Sequence, residues 1–140
     1  MIEVVSRQRR RKMDCERWRT FGEQALAAIG GDARQATVAF VSDRQIQVLN
    51  KRFRGLNRPT DVLSFPTHDE FVASPTLNLG DIAISVERAE SQASENGLAF
   101  DQEIAQLILH GLLHLHGYDH ETDNGEMKRT ELRLRRKLGI

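Results

Sequence analysis

Four of the five histidines lie within eleven residues, in the segment HGLLHLHGYDH at 110–120. In an α-helix His110 and His114 are about one turn apart, so both imidazoles can reach the same metal ion. Gly117 falls where this helix has to end, because glycine adopts the left-handed backbone conformation at little cost. The chain can then return and bring His120 to the same ion. Three histidines with a fourth position open to water are typical of a catalytic zinc site.

The neighbours of these histidines have other expected roles. His116 lies on the opposite side of the helix from His114, so we expect it to be structural or to support a ligand. Asp119 is either a fourth ligand or a carboxylate that orients a histidine ring, and the second role is the commoner one. The spacing is close to the HExxHxxGxxH signature of metalloproteases, but Gly111 stands where that signature has its glutamate base. Peptide hydrolysis by that route is therefore not expected.

Charge is segregated along the chain although its formal total is zero, with 20 basic and 20 acidic residues. Residues 44–58 contain five basic and no acidic side chains, and 61–126 contain thirteen acidic and one basic. Residues 1–20 and 127–140 are again rich in arginine and lysine. The zero total excludes a chain that holds nucleic acid simply by being polycationic. The basic segments are either solvated faces or binding surfaces for phosphates.

Length and composition predict one globular domain over 1–140, since 39% of the residues are hydrophobic and 29% charged. The only cysteine, Cys15, has no partner for an intramolecular disulfide. No apolar run is long enough for a transmembrane helix, and no secretory signal is recognisable. A reducing, cytoplasmic location without membrane contact is therefore expected.

Hydrophobic patterning alternates helices and strands and predicts an α/β domain of two or three layers with a small sheet. Ser42 and Gln45 match a capping box at a helix start, and Asp101 is the expected cap of a helix that is apolar on nearly every side and therefore buried. The predicted strands are 1–6, 36–41, 60–65 and 77–85, and the predicted helices are 18–29, 43–55, 86–96, 101–116 and 123–138.

Three segments resemble one known family. HGLLHLHGYDH at 110–120 is similar to the H-G-x-L-H-L-x-G-Y-D-H signature of the YbeY family, the bacterial zinc-dependent endoribonucleases linked to ribosomal RNA maturation. NKRFRGLNRPTDVLSF at 50–65 and LGDIAIS at 79–85 resemble two further segments of that family, in the same order.

The resemblance implies an α+β fold with a small, mostly parallel four-stranded sheet, helices packed around it, and a buried helix that carries the HxxxH motif. It implies one Zn²⁺ ion bound by His110, His114 and His120. It also implies a functional role for Arg54, and arginine is well suited to binding a phosphate through two parallel hydrogen bonds. The implied partners are single-stranded ribosomal RNA and the ribosome or its proteins.

The function expected from these residues is metal-assisted cleavage of an RNA phosphodiester, with Arg54 neutralising the phosphate in the transition state. The nucleophile is either a water or the RNA 2′-hydroxyl, and no general base stands out. One alternative is a zinc hydrolase of another substrate, such as a peptide. Another is a non-catalytic, metal-stabilised module that docks on the ribosome. Imidazole ligands also suit nickel, copper and iron, so the sequence leaves the metal open.

Overall fold

Strands and helices alternate in an α+β arrangement. The computed structural model describes residues 1–30, 34–67, 78–119 and 121–140, which form four strands and five helices. The strands are β1 (Ile2–Ser6), β2 (Gln35–Val41), β3 (Val62–Pro66) and β4 (Asn78–Ser85), and the helices are α1 (Cys15–Ile29), α2 (Asp43–Arg54), α3 (Val86–Asn96), α4 (Phe100–Leu115) and α5 (Glu126–Leu138). Within these ranges no helix is long and apolar enough to cross a bilayer.

The sheet has the order β1-β2-β4-β3 and is mixed rather than mostly parallel, which corrects the expectation stated above. The β1–β2 and β2–β4 pairs are parallel, whereas the edge strand β3 runs antiparallel to β4. A parallel pair requires a crossover of a dozen or more residues, usually through a helix. Only eleven residues, 67–77, separate β3 from β4 along the chain, so an antiparallel pairing is the accessible one.

Helices cover both faces of the sheet, as the alternation along β2 shows. Val38 and Phe40 point into the larger core, which includes residues of α1, α4 and α5. Val41 belongs to a smaller cluster on the opposite face, where Ile46 of α2 packs. Alternate residues of β2 therefore contribute to two different cores, which is the expected consequence of strand geometry.

Helix α4 is the buried helix that the sequence predicts, because ten of its sixteen residues are buried. Its start differs from the prediction: Ala99 is the N-cap residue and makes no side-chain capping bond. Asp101 lies inside the first turn, and its carboxylate pairs with Arg17 of α1 at 2.6 Å. The Asp101 side chain, which was expected to cap the helix, thus forms a long-range ion pair instead.

Helix α2 begins and ends where the sequence predicts. Both hydrogen bonds of the capping box between Ser42 and Gln45 are present. Gly55 ends the helix with a positive φ of 70°, a conformation that favours glycine. The helix therefore stops immediately after Arg54 and leaves this residue at the edge of the sheet beside β3.

Helix α4 lies exceptionally close to the sheet at Gly111. A Cβ atom added to this glycine would lie 2.9 Å from both Cδ1 and Cγ2 of Ile82, a buried residue of β4. Real Cβ contacts are longer than this, so a larger residue at 111 forces the Ile82 side chain, the helix or the strand to shift. The glycine thus sets the distance between α4 and the sheet.

We expect Gly111→Ala to destabilise the fold. Overpacking costs about 1–3 kcal/mol, and the better helix propensity of alanine returns about 1 kcal/mol, so a net loss of roughly 1 kcal/mol is expected in urea unfolding. In an Ile82→Ala background the same substitution should be neutral or stabilising, because the crowded atoms are gone. Equal effects in both backgrounds would contradict the close-packing argument.

Candidate active site

The HxxxH pair lies in the last two turns of α4 and its ring nitrogens converge. The Nε2 atoms of His110 and His114 are 3.2 Å apart, and the two ring planes are inclined by 75°. Both side chains are partly buried, so the helix and its neighbours restrict their rotamers. The i, i+4 spacing has therefore brought the two imidazoles to one point, as the sequence predicts.

The separation of these nitrogens fits a shared zinc ion. Two Zn–N bonds of about 2.0–2.1 Å at a tetrahedral angle place their nitrogens roughly 3.3 Å apart, close to the observed 3.2 Å. His120, the third expected ligand, lies outside the described residues. Among the side chains that the structure does describe, no three His, Cys, Asp or Glu groups are arranged to hold a metal, so the three-histidine set remains a prediction.

A buried carboxylate from α5 orients the His110 ring. Both carboxylate oxygens of Glu131 lie 3.2 Å from His110 Nδ1, and Arg135 Nη2 donates to Glu131 Oε1 at 3.1 Å. A proton on Nδ1 satisfies this contact and leaves the Nε2 lone pair directed toward His114. A carboxylate on the distal nitrogen of a histidine ligand is a common arrangement in zinc proteins.

The environment of Glu131 keeps it ionised although it is only 8% exposed. Burial by itself raises the pKa of the Glu131 carboxyl group. The hydrogen bond from His110, together with the positive charge and hydrogen bond of Arg135, outweighs burial and holds the pKa of Glu131 below its ordinary value. Glu131 can therefore accept hydrogen bonds from both partners at neutral pH.

A second buried carboxylate lies behind His110. Glu103, Glu131 and Asp61 line the same pocket as His110. The Gln92 amide, oriented with its nitrogen toward the carboxylates, donates to Asp61 Oδ2 at 3.2 Å and to Glu103 Oε1 at 2.8 Å. Burial, and to a smaller extent the Asp61 charge, raise the pKa of Glu103. The wall behind His110 thus carries three carboxyl groups together with the Arg135 guanidinium.

His116 and Asp119, the two neighbours that the sequence singled out, each contact the backbone near the end of α4. His116 Nδ1 lies 2.7 Å from the backbone oxygen of Leu112, so this histidine stabilises the end of α4. Asp119 Oδ1 accepts a hydrogen bond from the backbone nitrogen of Glu121 at 3.0 Å and shapes the turn after the helix. Glu131 is the carboxylate that orients His110, while Asp119 lines the cavity of the histidine pair. The role of Asp119 as a ligand or as the partner of another histidine ring stays a prediction.

Arg54 faces the same cavity as the histidine pair. This cavity has a volume of about 540 Å³, and its lining includes Arg54 from α2, Ser64 from β3 and both His110 and His114. Within the described ranges the Arg54 guanidinium forms no hydrogen bond and no ion pair, and the residue is exposed. Its donors are thus available to an anion that enters the cavity.

The close contact at Gly111 explains why no glutamate base stands beside the histidine pair. The Cβ direction at this position points at Ile82 of the sheet, so a longer side chain there meets β4 rather than the cavity. The residue type that distinguishes this chain from the protease signature is thus a consequence of helix–sheet packing.

Sequence reasoning did not select Glu131 as a partner of His110, from which it is separated by 21 residues. A signal was present, since Glu131 is the only acidic residue in the otherwise basic segment 127–140. A single acid that is buried at a helical position facing the core has to be paired. The sequence does not say with which residue.

The fold matches a solved structure over nearly its full length. The solution structure of a protein from Thermotoga maritima superposes with a TM-score of 0.67 at 29% sequence identity, covering 99% of this chain and 89% of that one. The mixed four-stranded sheet with its buried helix is thus the architecture of a known protein.

Relatives identify the class of protein as an endoribonuclease. Proteins named "Endoribonuclease YbeY" match from Nautilia profundicola, with 50% identity over 70% of this chain and 68% of the relative, and from Aquifex aeolicus, with 40% identity over 90% and 83%. The family model described as "Endoribonuclease YbeY" matches residues 3–139. The chain therefore belongs to the YbeY family, and the expected family and ribonuclease class are both confirmed.

We expect Glu131→Gln to lower the free energy of unfolding at pH 7 by about 1–3 kcal/mol, because charge-assisted hydrogen bonds are lost in a buried position. Since the folded pKa of Glu131 lies below its ordinary value, its contribution is complete above the unfolded pKa of about 4.3 and is lost as pH falls through the folded pKa. Urea unfolding between pH 3 and pH 7 measures the difference.

Glu95→Gln is the matched control, since Glu95 is an exposed acid on α3. This variant should unfold like the parent at every pH. If Glu131→Gln were equally destabilising at pH 3 and pH 7, the lost interaction would not be the ionised carboxylate.

Proposed function

We propose that the chain is a zinc-dependent endoribonuclease that cuts single-stranded RNA during ribosomal RNA maturation and ribosome quality control in the cytoplasm. Its 140 residues would act as one catalytic domain. The observation that carries this proposal is that Arg54 and the convergent pair His110 and His114 line one cavity. A cation site and an unpaired guanidinium at one cavity are suited to a phosphodiester.

The proposed ligands of the single Zn²⁺ ion are His110, His114 and His120. The chemistry that zinc supplies when bound is Lewis-acid activation of a water or polarisation of the phosphoryl oxygen. The Glu131 carboxylate contacts Nδ1 of His110 and so holds the ring with its Nε2 atom toward His114. The Nε2 atoms of the two histidines are 3.2 Å apart. Glu131 thereby keeps the first of these ligands in a single orientation.

Arg54 is proposed to bind the phosphate at which cleavage occurs. Negative charge grows on the phosphoryl oxygens in the transition state, and a planar guanidinium can bind two of them at once. The position of Arg54 at the C-terminal end of α2 is fixed by the turn at Gly55. The nucleophile remains either a water or the RNA 2′-hydroxyl.

Local charge supports a single-stranded substrate held near this cavity. Arg54 belongs to the segment 44–58, whose five cations form no ion pair within the described part of the chain. By contrast, several N-terminal arginines are paired, such as Arg10 with Glu90 and Arg17 with Asp101. A flexible strand can follow a short basic surface more readily than a rigid duplex can.

Two other functions remain as outcomes of the test. A peptide hydrolase would require a base near the histidines, but Gly111 stands where the usual glutamate would be, and the Ile82 side chain crowds a larger residue there. A non-catalytic module that docks on the ribosome would bind RNA without cutting it. The cleavage products, rather than RNA binding, therefore distinguish the nuclease from the peptide hydrolase and from the docking module.

The test compares cleavage of single-stranded RNA and of casein by the purified protein, with and without a chelator. We expect RNA fragments only, with activity lost on chelation and restored by added zinc, while other divalent metals are assayed in parallel. His114→Ala should abolish cleavage. Cleaved casein would favour the peptide hydrolase, and intact RNA with every metal would favour the docking module.

Arg54→Glu should lower the rate of RNA cleavage by about 100-fold, the typical cost of removing a donor that stabilises transition-state charge. Zinc content, measured by elemental analysis, should not change, since Arg54 is not a ligand. Arg133→Glu makes the same charge change at an exposed position of α5 and should keep most of the activity. Loss of zinc in Arg54→Glu would mean that the residue acts through the structure of the site.

A further inference from the structure

Phe53 is a large aromatic side chain that is exposed at the end of α2. Its relative exposure is 58%, although it belongs to the apolar stripe of the helix, four residues after Leu49. Leu49 packs on the small cluster between α2 and the sheet, whereas Phe53 extends beyond it. Single exposed apolar residues are common, so the surroundings of the ring decide whether it has a role.

One edge of the exposed ring is anchored. Phe53 and Phe65 of β3 pack edge to face, with ring centroids 5.2 Å apart and planes inclined by 64°. Phe65 is itself partly buried against the cluster that contains Leu63 and Ile46. The ring thus has a packing partner on one side while much of its surface faces solvent. Stacking of a base would therefore order a side chain that is already partly restrained.

Basic residues flank Phe53 in the sequence, and the guanidinium of one of them, Arg52, lies over its ring. The guanidinium carbon of Arg52 lies 5.4 Å from the Phe53 ring centroid. Lys51 lies two residues before Phe53 in the sequence, and Arg54 directly follows Phe53. Among the described residues, Lys51, Arg52 and Arg54 form no ion pair. Exposed aromatic rings among unpaired cations are the combination that binds single-stranded nucleic acid, through base stacking and phosphate attraction.

The ring also adjoins the candidate active site. Phe53 directly precedes Arg54, and Phe65 lies between Ser64 and Pro66; Arg54, Ser64 and Pro66 all line the cavity of the histidine pair. Successive residues of β3 point to opposite faces of the sheet. The aromatic pair and the cavity therefore lie on the two sides of the same edge strand.

We propose that Phe53 is a nucleobase-stacking subsite for the single-stranded RNA, next to the cavity in which the phosphate is cut. This inference rests on the proposed function and adds a substrate-binding residue to it. A strand whose scissile phosphate lies at Arg54 crosses the edge of β3 and places a neighbouring base on the Phe53 ring. Every base has a π-face, so the subsite contributes affinity with little sequence preference.

The experiment measures the Kd of a fluorescent 2′-O-methyl RNA oligonucleotide. It also measures the Kd of an abasic strand of the same length, which keeps the sugar–phosphate backbone but lacks the bases. Phe53→Leu keeps an apolar contact with Phe65 but removes the aromatic face. We expect it to bind the complete oligonucleotide about tenfold more weakly than the parent. The abasic strand should bind both proteins with similar affinity. With cleavable RNA, KM should rise and kcat should stay near the parent value.

Val48→Ala is the matched control, because Val48 is an apolar residue that is 61% exposed on the same helix but offers no aromatic face; its Kd should match that of the parent. Phe53→Trp should retain binding, and the fluorescence of the introduced indole should be quenched by RNA. The only native tryptophan, Trp18, is buried at 4% exposure.

Parental affinity in Phe53→Leu, or an unquenched indole in Phe53→Trp, would overturn the subsite. If Phe53→Leu unfolds, the Phe53→Trp signal alone decides the question. Failure of the parent protein to cut RNA would overturn the proposed function and is read in a separate assay. RNA cleavage by the parent with unchanged Kd values in the variants would overturn the stacking subsite alone.

Discussion

The burial of α4 against the sheet is the constraint on which the rest of the molecule depends. This helix packs on β3 and β4 and contacts three other helices, and most of its side chains are removed from water. Its hydrophobic contribution is therefore large, because burial of apolar surface is the main favourable term in folding. The two histidines occupy the last two turns of this largely buried helix, which limits their motion relative to the cavity.

Polar side chains extend this rigidity from the helix to the site. Glu131 belongs to α5, yet it contacts His110 of α4 and Arg135 one turn along its own helix. Loss of Glu131 would be costly, since it would leave the Arg135 guanidinium and the Nδ1 proton of His110 without their acceptor in a buried position. The contact joins the end of the chain to the histidine pair, so the docking of α5 and the orientation of the ring depend on each other.

The sequence predicted the features that depend on local chemistry. The capping box at Ser42, the stop at Gly55 and the convergence of His110 and His114 are all set by residues within a few positions of each other. The direction of β3, the cap of α4 and the partner of His110 are set by pairings between distant segments. A single sequence carries no direct record of such pairings, as the contact between Glu131 and His110 illustrates.

The close contact between Gly111 and Ile82 also has an evolutionary consequence. A helix with HxxxH spacing needs only one glutamate after its first histidine to resemble the zinc peptidase signature. In this fold that change meets the sheet at 2.9 Å from its first side-chain atom, so it is penalised before any new activity can be selected. A smaller residue at position 82 would relieve this contact, but it would itself remove core contacts. Packing at position 111 therefore disfavours the change toward the peptidase signature, by an amount comparable to other overpacking substitutions.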